Sequence, residues 1–226
     1  MKVLIFGATG MVGQGVLREC LRADDVELVQ TVGRTATGVR DPKLRELVHA
    51  DLLDYGGVED ALRGFDACFF TLGASVLGLS EDAYARINHD IPLAAAQTLA
   101  RLNPAMTFVY VSGASTDSSE RGTVMWARVK GRTENALLRL PFKAAYMFRP
   151  GAIQPLHGAR SKTGWYHAIY VATSPLLSLA RRLWPQRVLS TENIGVAMLN
   201  AARHGAPKAV LEAPDIYALS GSGAHA

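Results

Sequence analysis

The stretch Lys2-Val3-Leu4-Ile5-Phe6-Gly7-Ala8-Thr9-Gly10-Met11-Val12-Gly13 decides the reading of this chain. Residues 2 to 6 are an apolar run, too short for a helix and bounded by glycine, which predicts a buried strand of a parallel sheet. After the glycines, the pattern Val16, Leu17, Cys20, Leu21 predicts an amphipathic helix. Strand, glycine turn and helix in that order make an anion cradle. Gly7 permits the tight turn, Gly10 lets a phosphate reach the main chain without meeting a Cβ, and Gly13 lets the helix pack close to the strand. The free N–H groups and positive dipole end at the helix start face a pyrophosphate. Gly7, Thr9, Gly10, Met11, Val12 and Gly13 are the first candidate binding residues.

The remainder continues the alternation. Strands are predicted over 27–32, 44–49, 66–72, 106–112, 144–148 and 209–212, with helices over 82–102, 124–139 and 191–203. Alternation of this kind implies a doubly wound, mostly parallel α/β sheet of Rossmann type with helices on both faces. With 226 residues, 49% of them hydrophobic, and no Pro/Gly/Ser-rich linker, the expectation is one NAD(P)-binding domain over 1–226. The small, polar residues 220–226 read as a frayed tail.

Composition narrows the partners. A formal net charge of +4 raises the question of nucleic acid, but lysines and arginines are dispersed among acids without interleaved aromatics, so no nucleic acid is expected. The two cysteines, Cys20 and Cys68, sit in apolar patterns without metal-ligand spacing, which predicts packing roles, no metal site and a reducing, cytoplasmic location. The apolar start is broken by Gly7 and Gly10 before a secretion signal is complete. Residues 171–184 contain Pro175 and the pair Arg181-Arg182 and are too short for a transmembrane segment.

The choice of cofactor rests on the end of the second strand. A site for NAD(H) places an acid there to hold the ribose 2′-hydroxyl, whereas this chain has Val32-Gly33-Arg34-Thr35. A guanidinium pairs with a 2′-phosphate in bidentate fashion and stacks on adenine, so Arg34, with Thr35 as a hydroxyl donor, favours NADP(H) over NAD(H). Arg40 is a weaker second candidate. Asp51 and Leu52 come next; Asp51 either accepts from the adenine amino group or caps a turn. Gly73 and Ala74, after the fourth strand, either bring main chain to the cofactor or make a plain turn.

Taken together, Gly7 to Gly13, Val32-Gly33-Arg34, Val109-Tyr110-Val111-Ser112, Lys130-Gly131 and Arg149-Pro150-Gly151 resemble the short-chain dehydrogenase/reductase superfamily. The branch is the atypical or extended one, which includes epimerase/dehydratase-like, Tat-interacting-oxidoreductase-like and NmrA-like proteins. The resemblance covers residues 1 to about 215 and implies a Ser or Thr after the fifth strand and a Tyr-x-x-x-Lys on the next helix. In that scheme the tyrosine shuttles a proton, and the lysine holds the nicotinamide ribose and lowers the tyrosine pKa. Here the segment is Trp126-Ala127-Arg128-Val129-Lys130. Spacing by four keeps Trp126 and Lys130 on one helical face, yet indole donates only and does not titrate. Trp126 stands at the tyrosine position without its chemistry. The serine position falls on Ser112, or on Gly113 with Ser115 as the nearest hydroxyl. Lys130 either holds the ribose or pairs with Glu134 one turn on.

By the same resemblance, Asn88 marks the start of the long helix, Pro150 and Gly151 shape the nicotinamide pocket, and 153–190 forms a C-terminal substrate lid. Within that lid His157, Tyr166 and Tyr170 are candidate replacement proton donors, each also readable as a packed residue. The apolar residues 171–184 suit a hydrophobic small-molecule substrate, a subunit contact or a membrane surface. The implied protein is an oxidoreductase or epimerase-like enzyme, or a non-catalytic NADP sensor, present as monomer or homodimer.

Overall fold

A computed structural model describes residues 1–159 and 180–221. Strand β1 (Lys2–Phe6) lies at the heart of a parallel sheet, between β2 (Leu28–Gly33) and β4 (Ala67–Phe70). Its alternating side chains bury on both faces: Val3 and Ile5 enter one core, Leu4 and Phe6 the other, all fully buried. At about 1.5–3 kcal/mol for each such side chain, this strand has no stable place at an edge.

Among the described residues seven strands form the main sheet, in the order β3-β2-β1-β4-β5-β6-β9, with every neighbouring pair parallel. The others are β3 (Leu44–Val48), β5 (Thr107–Val111), β6 (Ala144–Arg149) and β9 (Val210–Glu212). One face carries α1 (Met11–Arg22), α5 (Thr191–His204) and α6 (Ala213–Leu219), which share a core with Phe69 and Phe148. The opposite face carries α3 (Ile91–Leu102) and α4 (Met125–Leu138), packed over Phe70, Phe108 and Tyr110. This is the Rossmann-like α/β fold that the alternation predicts. Strand order reverses between β1 and β4, and ligands bind at that switch point beyond the carboxyl ends of the strands.

Four features depart from the sequence reading. The single helix expected over 82–102 is three pieces: α2 (Glu81–Ala85), a π-helical turn at Arg86–Asp90, and α3. Pro92, four residues on, has no N–H to give the Asn88 carbonyl, which accepts instead from Tyr110 Oη (3.2 Å) and Thr133 Oγ1 (2.9 Å). A small parallel pair, β7 (Ala152–Gln154) with β8 (Val188–Ser190), was not anticipated, nor were a 3₁₀ turn over Gly56–Leu62 and helix α6. Of the expected 153–190 segment, residues 160–179 lie outside the described residues, and with them Tyr166 and Tyr170.

The loop after β5 is locked onto α4 by one close approach. Asp117 donates its N–H to the Ala127 carbonyl (3.1 Å), and a Cβ on Gly131 would stand 1.7 Å from the Asp117 carbonyl oxygen. Backbone on both sides leaves no side chain to yield. Gly131→Ala is therefore expected to cost at least about 2 kcal/mol, a fall of about 4–8 °C in thermal midpoint for a chain of this size. Gly57→Ala, which meets open space, serves as the control.

Candidate functional site

The turn after β1 is built from backbone alone. Gly7 has φ +83°, its carbonyl accepts the Gly10 N–H at 2.9 Å, and a Cβ here would lie 2.5 Å from Leu72 N. A Cβ on Gly13 would lie 2.1 Å from the Gly7 oxygen, so the first turn of α1 rests directly on the glycine turn. Helix α1 begins at Gly10 with no side-chain cap and no acid in its first turn. Its leading N–H groups are left for an anion, with the helix dipole behind them.

Around this turn opens a cavity of about 650 Å³. Gly7, Thr9, Gly10, Met11 and Val12 form its floor, Arg34 and Thr35 line it beyond β2, Leu52 after β3, and Leu72 and Gly73 after β4. Gly13 stands behind the floor. Arg34 is exposed at the rim. Asp51 is outside the lining, and its Oδ1 accepts the Leu53 N–H at 2.9 Å in a local turn. Arg40 is also outside it. Sequence reading missed Glu46 on β3. Its Oε1 accepts from both the N–H (2.5 Å) and hydroxyl (2.6 Å) of Thr37, another lining residue, and so braces the loop that carries Arg34. The parallel register that sets Glu46 opposite Thr31 puts it there, and no local pattern announces it.

Gly73 joins this cavity to the α4 residues. A Cβ on Gly73 would stand 3.0 Å from Asn88 Oδ1 and 3.9 Å from Lys130 Nζ. The Asn88 amide, fully buried, accepts from the Ala74 N–H (3.2 Å) and donates to the Tyr84 carbonyl (3.2 Å), so it shapes the turn after β4. Lys130 Nζ lies 3.5 Å from the Val111 carbonyl and 5.4 Å from the centre of the Tyr110 ring. Trp126, one turn earlier on α4, is half-buried.

Glu134 does not pair with Lys130. It is 1% exposed, and its carboxylate is taken by Arg149, itself 9% exposed, through Nε at 3.0 and 3.2 Å and through Nη2. Arg149 also reaches Glu212 (3.2 Å) and Ser118 (2.5 Å). Ser112, just past β5, donates toward Glu134 at 2.5 Å. The local signals for this cluster were an arginine closing the apolar run Tyr146-Met147-Phe148 and a glutamate on the packed face of α4. Pro150 accepts the Ala114 N–H at 2.9 Å and Gly151 is exposed, both outside the cavity lining. His157 is exposed and bonds Glu192 at 2.8 Å, away from this cavity. No cluster of metal-ligand type occurs among the described residues, and no helix among them is long and apolar enough to cross a membrane.

Residues 7–137 match the model of a family described as NAD(P)H-binding. Protein fmp52-2, mitochondrial, of Aspergillus oryzae is 29% identical over 153 residues, 66% of this chain and 66% of its own length. Protein HTATIP2 of Rattus norvegicus is 27% identical over 154 residues, 67% of this chain and 62% of its own. The chain thus spans just under two thirds of these relatives. Among solved structures, an oxidoreductase of the short-chain dehydrogenase/reductase family from Burkholderia thailandensis superposes with TM-score 0.68 at 16% identity, over 96% of this chain and 92% of that one. The Bordetella bronchiseptica enzyme WbmF, in complex with NAD+, superposes with TM-score 0.67 at 15% identity over 97% and 76%. At such identities the likeness is one of fold.

These relatives correct the cytoplasmic expectation: several fungal ones are named mitochondrial proteins. The expectation rested on Cys20 and Cys68, which are free and buried. Burial protects a thiol in any compartment and does not distinguish one reducing compartment from another.

Burial lowers the Lys130 ammonium from the ordinary 10.5 to about 8, with nearby Glu134 opposing the shift. Between those values the unfolded chain binds a proton that the folded one has released, so this group adds stability as pH rises through the window and costs stability below it. Lys130→Met is expected to raise the thermal midpoint at pH 7, with the gap to the parent closing toward pH 10 in a calorimetric pH series.

Proposed function

The chain belongs to the NAD(P)H-binding family, within the atypical short-chain dehydrogenase/reductases that include FMP52 and HTATIP2, and from that premise we propose that it is an NADP(H)-dependent oxidoreductase or epimerase-like enzyme of small molecules. One observation carries the reading. The glycine cradle, with its uncapped helix start, opens into a cavity that has Arg34 at one end and Gly73, beside Lys130 Nζ, at the other. The backbone fits the group, since the helix start at the cavity floor has no side-chain cap and no acid in its first turn, which leaves its leading N–H groups for an anion. In this proposal Met11 and Val12 supply N–H groups to the pyrophosphate, Arg34 and Thr35 take the 2′-phosphate, and Lys130 holds the nicotinamide ribose. A bound nicotinamide supplies the hydride chemistry. This chain's residues bind the cofactor and orient the partners.

Discrimination between the two cofactors is assigned to Arg34. Calorimetric titration is expected to show tighter binding of NADPH than NADH, with Arg34→Ala losing roughly tenfold or more in NADPH affinity, the order of one charge-assisted bidentate pair. Equal affinities in the parent, or an unchanged preference in the variant, defeat the assignment.

A second reading, a non-catalytic NADP sensor, draws on Trp126. At the tyrosine position a donor that does not titrate leaves no ordinary route for the substrate proton. Trp126→Tyr separates the two readings. Steady NADPH consumption by the parent over a panel of carbonyl compounds sinks the sensor, and activity that arises only in the variant supports it.

A further inference from the structure

The stretch from Arg34 to Arg40, which carries one end of the cavity, has little of its own to hold it in place. It begins the crossover from β2 to β3, and that crossover has no helix, the element that usually packs such a connection onto a parallel sheet. Burial does not fix it either. Residues 34–36 and 38–40 are exposed, and Thr37 alone is half-buried. Thr37 lines the cofactor cavity with Arg34 and Thr35, and with Ala8 it also lines a second cavity of about 520 Å³ along α1. Having open space toward both cavities, Thr37 is not placed by packing. Hydrogen bonds remain. Thr37 donates its N–H (2.5 Å) and its hydroxyl (2.6 Å) to Glu46 Oε1, while the Val39 N–H donates to Thr37 Oγ1 at 3.2 Å. Among the described residues, the two bonds to Glu46 are the ones that tie 34–40 to another element of the fold.

We infer that Glu46 is a positioning residue for cofactor selection: through Thr37 it sets where Arg34 and Thr35 stand at the rim of the cavity, and the difference between NADPH and NADH affinity depends on it. The inference rests on the reading above, in which Arg34 and Thr35 take the 2′-phosphate. A loop that keeps its binding geometry for only part of the time weakens the apparent affinity by that fraction. The penalty falls on NADPH, whose 2′-phosphate calls on Arg34. NADH is held by its pyrophosphate on the turn from Gly7 to Gly13, which Glu46 does not touch. What Thr37 needs is an acceptor and not a charge. A single oxygen takes both of its donors, and the amide oxygen of a glutamine, with two lone pairs, can do the same.

Calorimetric titration of the whole chain with NADPH and with NADH tests the inference. Glu46 is exposed, so its replacement opens no cavity in the core. Glu46→Ala is expected to weaken NADPH binding about tenfold and NADH binding far less, so that the parent's preference collapses, and Glu46→Gln is expected to keep that preference. A parent that prefers NADPH, with the preference unchanged in Glu46→Ala, overturns the inference and leaves the functional reading standing. Glu46→Gln behaving as Glu46→Ala also overturns it, since a charge and not an acceptor would then be at work. A parent without preference defeats the assignment of Arg34 and takes the inference with it. The tie itself is read on the free chain by amide hydrogen exchange. The Thr37 N–H is expected to be protected in the parent and in Glu46→Gln, and to exchange about tenfold faster or more in Glu46→Ala. Equal exchange in all three overturns the inference whatever the titrations show.

Discussion

Three stretches of main chain meet at Gly7. Its carbonyl occupies the space where residue 13 would carry a Cβ, 2.1 Å away, and its own missing Cβ leaves room for Leu72 N at 2.5 Å. The first contact seats α1 on the turn, and the second brings the end of β4 beside the end of β1. Because backbone cannot be repacked as a side chain can, these distances fix the angle at which α1 leaves the sheet and the width of the switch point. The cavity is a consequence. Arg34 enters it from β2, and Gly73 from beyond β4, only because those strands flank β1 in register.

The far end of the site is held by charge. Placing Glu134 and Arg149 in the interior is expensive, and removal of either partner costs about 3–5 kcal/mol because the other is left as an uncompensated charge. The pair ties α4 to β6, and through Glu212 and Ser118 it reaches β9 and the loop after β5. That loop is already pressed onto α4 at Gly131. Lys130 lies within this frame with its ammonium partly desolvated, a carbonyl and an aromatic face close by, and the Glu134 charge near enough to offset part of that cost. A charge kept at some cost in stability, on the helix face that the superfamily uses for its lysine, is more economically explained by a ligand than by folding.

Legibility in the sequence followed the range of the interactions. Gly7 to Gly13 and the apolar strand before it were readable because turn, close approach and burial all act within a dozen residues. The doubly wound sheet was readable from alternation, since parallel strands need crossovers. The π-helical turn was not. It holds Asn88, whose side chain reaches back to Ala74 and whose carbonyl is claimed by Tyr110 and Thr133, contacts that span 14 to 45 residues. Glu134 shows the same limit. Four residues from Lys130 on one helix, it reads as a surface partner, and only the fold reveals that Arg149, 15 residues away, claims it first. Thr37 and Glu46 are close in sequence, yet their bond exists because β3 pairs with β2.

Spacing alone does not set polarity. Helix α4 carries Trp126 and Lys130 four apart, the spacing that the superfamily resemblance implies for its tyrosine and lysine, and in the proposed reading the tyrosine position is held by an indole, which only donates. Ser112, in one of the two registers that the scheme allows for its hydroxyl, donates to Glu134. Reduction of a carbonyl requires a proton as well as a hydride. Of Ser112, Trp126 and Lys130, only the lysine, drawn down to about 8 by burial, exchanges a proton near neutral pH. In the proposed enzyme, turnover therefore asks a proton of Lys130 or of a donor beyond these three side chains.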